Sequence, residues 1–83
     1  MTHALKTWPA YFKAITKGDK TFELRKEDRP FKEGDTVLLQ EYEPLTKIYT
    51  GLEASFNITY ILRDAEGFGL KKGHCILGLK VKE

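Results

Sequence analysis

The chain has 83 residues, 41% hydrophobic and 31% charged, the composition of a single globular domain. A domain this small buries only roughly 60% of the surface its unfolded chain exposes, so it can build one core and little else. Net charge is +2, from 14 basic and 12 acidic side chains, which is too weak to indicate a nucleic-acid partner by itself.

No apolar run approaches the roughly 20 residues of a membrane span, so no membrane partner is expected. The opening MTHALKTWPAYFK lacks the apolar core of a signal peptide, and a cytoplasmic location is expected. A single cysteine, Cys75, rules out an internal disulfide framework. Its place in the apolar run CILGLKV marks a buried structural thiol rather than a nucleophile. With no repeat, linker or low-complexity segment, residues 1–83 are expected to form one domain.

In chain order, THALKT (2–7) reads as a first strand, His3 and Leu5 alternating with Ala4 and Lys6. A helix is expected over 8–17, because Trp8, Tyr11, Phe12 and Ile15 stand at i, i+3, i+4 and i+7. Thr7 is a candidate N-cap, Pro9 suits the first turn, and Gly18 supplies a left-handed stop. KTFELRK is a second strand, with Phe22 and Leu24 on one face and Thr21, Glu23 and Arg25 on the other. EDRPFKEGD is a loop, TVLLQEYE (36–43) a third strand, and LTKIYTG a hairpin connection. LEASFNITYILRD reads as a long strand with Phe56, Ile58, Tyr60 and Leu62 sharing a face. AEGFGLKKG is a loop or single turn, and HCILGLKVK closes the chain as the last strand. The class is therefore α+β and mostly β, with five to six strands and one N-terminal helix. So many strands in so short a chain favour a small, mostly antiparallel barrel, which protects its own edges.

Charge is unevenly spread. Residues 1–35 carry 8 basic and 6 acidic groups, 36–70 carry 2 and 5, and 71–83 carry 4 and 1. If the fold brings the two ends together, one face is basic and the other acidic; simple solubilising charge is the alternative. The densest run is Lys20–Arg29, where seven of ten residues are charged although the segment reads as a core-building strand. A carboxylate flanked by Lys and Arg stays ionised and fixed in place, which suits either ligand contact or a solvated ion network. Among the ten aromatics, Trp8 and Tyr49 stand near turns, where they can remain exposed and stack on a base. There is no CxxC, HExxH, P-loop or GxGxxG, and His3 lies far from His74 in sequence. Neither a metal nor a cofactor is expected.

From HALKTWPAYFK through GDKTFELRKEDRPFKEGDTVLLQEYEP to YTG, ITYIL and GHCILGL, the sequence resembles a bacterial and phage family of uncharacterised small domains. That family resembles the ASCH (activating-signal-cointegrator homology) domains of the PUA-like superfamily. The resemblance covers nearly the whole chain. It rests on GxKTxExR, here Gly18, Lys20, Thr21, Glu23 and Arg25, followed by Gly34 and Asp35. It implies a PUA-like β-barrel with a helix at its mouth, Phe22 and Leu24 filling the barrel. It also implies a polar cleft lined by the motif's side chains. PUA-like domains generally bind RNA or modified nucleotides.

The resemblance thus implies a binding module for RNA, single-stranded nucleic acid or a modified nucleotide. Its binding residues would be Lys6, Trp8, Lys20, Thr21, Glu23, Arg25 and Tyr49. Arg25 and Lys20 would contact phosphate or a base edge, Lys6 would add charge, Glu23 would accept from a base amine, and Trp8 or Tyr49 would stack. On this reading Glu23→Gln costs affinity and leaves the melting temperature little changed. The alternative is a small amidohydrolase of acylated nucleosides, since some ASCH proteins remove the acetyl group from acetylated cytidine with a Lys, a Thr and a distant Glu. Lys20 matches that Lys. Glu23 stands where their Thr would be, and Glu66 is only a loose match to their Glu, so Lys20 and Glu23 would be the catalytic pair. A protein-interaction role is a third possibility.

Overall fold

β1 (Thr2–Thr7) buries every second residue, His3, Leu5 and Thr7, in the computed structural model, which describes residues 1–82. This is the alternation that a strand with one covered face requires. α1 (Pro9–Thr16) follows at once and turns Phe12 and Ile15 inward, at 6% and 3% exposure. Trp8 and Tyr11, expected to share that inner face, are about half exposed instead. A helix of eight residues has only two full turns, and its buried stripe is too narrow for four large side chains.

Proline does occupy the first turn, but the N-cap is Trp8, with extended φ/ψ and no side-chain cap. Thr7 does not cap. It points into the core, its hydroxyl directed at the Leu5 carbonyl. Gly18, at φ +87°, ends the helix as the sequence indicates. The next two amides, of Asp19 and Lys20, both donate to the Ala14 carbonyl at 3.0 Å.

β2 (Phe22–Lys26), β3 (Thr36–Glu43), β4 (Ile48–Leu62) and β5 (His74–Val81) complete a five-stranded sheet of order β1-β3-β4-β5-β2. Only β1 and β3 run parallel, the helix providing part of their crossover; the other pairs are antiparallel. The sheet curls into a half-barrel around Leu5, Val37, Leu39, Ile58, Cys75 and Leu77, all essentially inaccessible to solvent. β1 and β2 are its two edges and do not pair with each other. The basic terminal segments do meet, since β2 pairs with β5.

Two expectations of face are reversed. β4 is longer than expected, absorbing most of the supposed hairpin connection, and its register shifts between Ile58 and Tyr60. The extra residue inverts the pleat. Phe56 and Ile58 are buried as expected, but Ile61 is the next to turn inward, while Tyr60 is exposed and Leu62 largely so. In β2 it is Glu23 that is buried, at 5% exposure, whereas Phe22 and Leu24 are exposed at 44% and 56%. Pairing explains this, because Glu23 lies opposite Leu77 and Arg25 opposite Cys75, both inward-facing residues of β5. Alternation fixes the period of a strand but not its phase.

Asp35, from the Gly34–Asp35 turn, ties β1 to β3. Its carboxylate accepts from His3 Nε2 at 2.8 Å, from the Lys32 amide at 3.1 Å and from the Met1 amino group at 3.3 Å. The His3 hydrogen bond is the main cause of a carboxyl pKa below the usual range. A folded-state pKa below the unfolded value contributes stability that is complete above about pH 3.9 and lost as pH falls through the folded value. Asp35→Asn is expected to lower the melting temperature at pH 7 and to flatten the acid limb of its pH profile. A variant losing stability as steeply as wild type between pH 5 and 2 would contradict this.

Candidate functional site

The gap between the two sheet edges is where the charged run lies. The Leu79 amide donates to the Thr21 carbonyl at 2.9 Å, and the Glu27 amide to the Gly73 carbonyl at 2.8 Å. Antiparallel alternation between these points turns the backbone of Glu23 and Arg25 toward β5 and leaves that of Phe22, Leu24 and Lys26 on the open edge. Side chains bridge the seam that backbone does not. Arg25 Nη1 donates to the Lys6 carbonyl at 2.9 Å, and Arg29 Nη1 to the Ala4 carbonyl at 3.1 Å. Two arginines thus cap the outward carbonyls of β1, a device that also blocks edge-to-edge association.

Above Arg25 the seam opens into a cleft of about 480 Å³ between β2, the end of β1 and the start of α1. Its walls are Lys6, Thr7, Trp8, Tyr11, Lys20, Phe22, Glu23, Leu24 and Arg25. At its floor Glu23 Oε1 accepts from Lys20 Nζ at 2.9 Å, and Glu23 Oε2 lies 3.5 Å from Arg25 Nη1. Lys20 Nζ also donates to the Phe22 carbonyl at 2.9 Å and sits 5.1 Å and 4.7 Å from the ring centroids of Tyr11 and Phe22. Trp8 and Tyr11, adjacent on the exposed face of the helix, stack with centroids 6.0 Å apart and planes 13° from parallel. Lys6 Nζ lies 4.7 Å over the Tyr42 ring and makes no ion pair among the described residues.

Five of the seven residues singled out from the sequence therefore line one cleft: Lys6, Trp8, Lys20, Glu23 and Arg25. Tyr49 stands outside it, edge-on to Tyr42 at 5.0 Å and 5.9 Å from Lys6 Nζ. Thr21 faces a smaller hollow on the other side of Lys20. Thr7, Tyr11, Phe22 and Leu24 are lining residues that the sequence reading missed. For Tyr11 the signal was present, because it stands three positions after Trp8 on the helix. Phe22 and Leu24 were hidden by their assignment to the core. Among the described residues no group of three or more His, Cys, Asp or Glu is placed to hold a metal ion, and no helix is long and apolar enough to cross a membrane. Cys75 is fully buried, and burial pushes its thiol pKa up, the opposite of activation.

Glu23 holds two cations in place from a buried position, which alters what its loss should do. Glu23→Gln keeps the shape but leaves Lys20 and Arg25 facing each other without their shared counter-charge. A stability loss of about 1–3 kcal/mol is expected, measured by urea unfolding. The sequence alone suggests a melting temperature little changed; the burial of Glu23 between two cations is what alters that expectation. An unchanged unfolding midpoint would show that the ion triad contributes nothing to folding.

Fold and cleft together define a small one-helix, half-barrel domain with a cationic, aromatic-lipped groove at its open seam. The chain belongs to a family described as a domain of unknown function, DUF3850, whose model matches residues 2–79. It is also 35% identical over 57 residues to an uncharacterized 12.9 kDa protein in the GpA 3′ region of Escherichia phage P2. That match covers 69% of this chain and 50% of the phage protein, so the chain spans about half the length of this relative.

Proposed function

We propose that the domain binds single-stranded RNA, or a single modified nucleotide, in the seam cleft. The observation that carries this reading is the stacked, half-exposed Trp8–Tyr11 pair standing beside Lys6, Lys20 and Arg25 on one concave surface. Stacking on an aromatic face is open to any base, and cations around it track a phosphate backbone. A cleft of about 480 Å³ is of the size that takes a small ligand such as one nucleotide. Arg25 spends one nitrogen, Nη1, on Lys6 and Glu23. Its remaining N–H groups are available to a phosphate or a guanine edge.

The helix at the mouth of a curled sheet, and Lys20, Glu23 and Arg25 of the motif lining the cleft, support placing the family beside the ASCH domains, within the PUA-like superfamily. A cytoplasmic location suits an RNA ligand. The amidohydrolase alternative calls for a free amine at Lys20. Here Nζ donates to both Glu23 and the Phe22 carbonyl, the arrangement of an anchoring ammonium, and binding is the reading we carry forward.

Titration of nucleotides and short RNAs at several salt concentrations tests it. Three phosphate contacts, from Lys6, Lys20 and Arg25, predict that log K falls with log salt at a slope of about −2. Binding to none of these ligands would end the nucleic-acid reading.

A further inference from the structure

The outer face of the sheet carries an apolar patch that extends well beyond the seam cleft. Register places Phe22, Gly78 and Tyr60 side by side across β2, β5 and β4, and Leu24, Ile76 and Leu62 side by side in the next row. Both rows point away from the core, because Leu77, which lies between them on β5, is fully buried. Phe22, Leu24, Tyr60 and Leu62 are exposed, and Ile76 between the two leucines is half-buried. Together they present roughly 400 Å² of apolar surface, the scale at which such a patch marks an interaction site. Phe22 and Leu24 also wall the seam cleft, whereas Tyr60, Leu62 and Ile76 lie outside it.

We propose that this face pairs two copies of the domain, sheet against sheet. The two rows differ in relief. Gly78 leaves the middle of the first row low, and Ile76 fills the middle of the second. A two-fold axis running across the strands between the rows exchanges them. Ile76 of one copy then lies over Gly78 of the other, Tyr60 over Leu62 and Phe22 over Leu24. Each contact occurs twice, as an isologous interface requires, and none of these side chains is charged. Edge-to-edge pairing is blocked, because Lys20 Nζ holds the Phe22 carbonyl while Arg25 and Arg29 hold those of Lys6 and Ala4. With its polar rim, the paired face buries roughly 1,200 Å² in total, the lower end for a specific contact, so the dimer is weak and reversible. The same rotation brings Lys80 of one copy toward Lys26 of the other, a like-charge rim that salt screens. It also sets β2 over β2, so the two seam clefts open on one flank of the dimer.

Sedimentation equilibrium of the whole chain tests the pairing, with Leu62→Glu, Tyr60→Glu and, as a control away from the patch, Leu52→Glu. Wild type is expected to associate with a Kd on the order of 100 µM, and more tightly as salt rises. RNA binding in the seam cleft carries the opposite salt dependence, so the two readings fail separately. Leu62→Glu and Tyr60→Glu are each expected to weaken association by roughly tenfold or more, since each puts a desolvated charge into the contact. Tyr60 makes no part of the core, so its variant keeps the test decisive even where Leu62→Glu disturbs folding. Leu52, exposed in the first half of β4, is expected to tolerate glutamate with no change in association. Wild type that stays monomeric up to about 1 mM overturns the proposal and leaves the face to a different protein. Association that survives both patch variants, or that Leu52→Glu weakens equally, overturns it as well.

Discussion

Phe12→Ala is expected to destabilise the domain by about 3–5 kcal/mol, the cost of emptying a buried aromatic site. Phe12 is 6% exposed and belongs, with Ile15, to the one stripe by which α1 is attached to the half-barrel. Small domains have only about 5–15 kcal/mol in hand, so the variant is expected to be partly unfolded near body temperature. Urea unfolding measures the change, and an unaltered m-value would confirm that only stability has moved. Tyr11→Ala, one residue away on the exposed face, provides the control and should cost clearly less, about 0.5–1.5 kcal/mol, the worth of its stack on Trp8. If Phe12→Ala were as mild as Tyr11→Ala, the helix would not be held by its inner face.

Trp8→Ala makes the complementary prediction. It should leave the fold intact and weaken nucleotide or RNA binding by about 1–3 kcal/mol, one stacked base in energetic terms. Trp8 is 53% exposed, and only its backbone serves as the N-cap of α1, so the side chain is dispensable for the helix. Its ring stacks on Tyr11, and both line the cleft. Calorimetric titration of a short single-stranded RNA is the appropriate measurement. Equal affinity in wild type and Trp8→Ala would remove the stacking platform from the account.

Why did the sequence show so much of the site and yet misplace its walls? The positions of all five strands, the helix and its glycine stop were legible, since each depends on local periodicity or on one backbone conformation that only glycine adopts easily. Lys6, Trp8, Lys20, Glu23 and Arg25 were found because the motif, and the helix beside it, put chemistry-bearing groups close together along the chain. Strand phase was not legible. Whether Phe22 or Glu23 faces inward depends on which residue of β5 lies opposite, and β5 is more than fifty residues away in sequence. The ordinary assumption that apolar residues fill the interior fails at this edge strand, because the interior face there is the cleft. The shift between Ile58 and Tyr60 was hidden for a related reason. Gly78, opposite Tyr60, leaves space that the bulge occupies; a β-carbon there would stand 3.1 Å from the Thr59 hydroxyl. Nothing within the local sequence of β4 announces that accommodation.

The seam also gives the charged run a double purpose. Glu23, Lys20 and Arg25 compensate one another at the mouth of the half-barrel, and Arg25 and Arg29 reach across to the carbonyls of β1 where no strand pairs. Arg25 therefore both closes the lower seam and lines the cleft above it. Because Arg25 protects the edge and also lines the proposed binding cleft, its variants are best read for affinity and stability together.

On the proposed binding function, ligand enters at the open seam, between the helix and β2. Backbone amide chemical-shift mapping by NMR, during titration with a short single-stranded RNA, tests it most directly. The largest shifts are expected at Lys6, Trp8, Tyr11, Lys20, Glu23 and Arg25, and none at the β3–β4 turn around Lys47. Shifts centred on that turn, or on the outer face of β4 at Tyr60 and Leu62 with the seam residues unmoved, would contradict it.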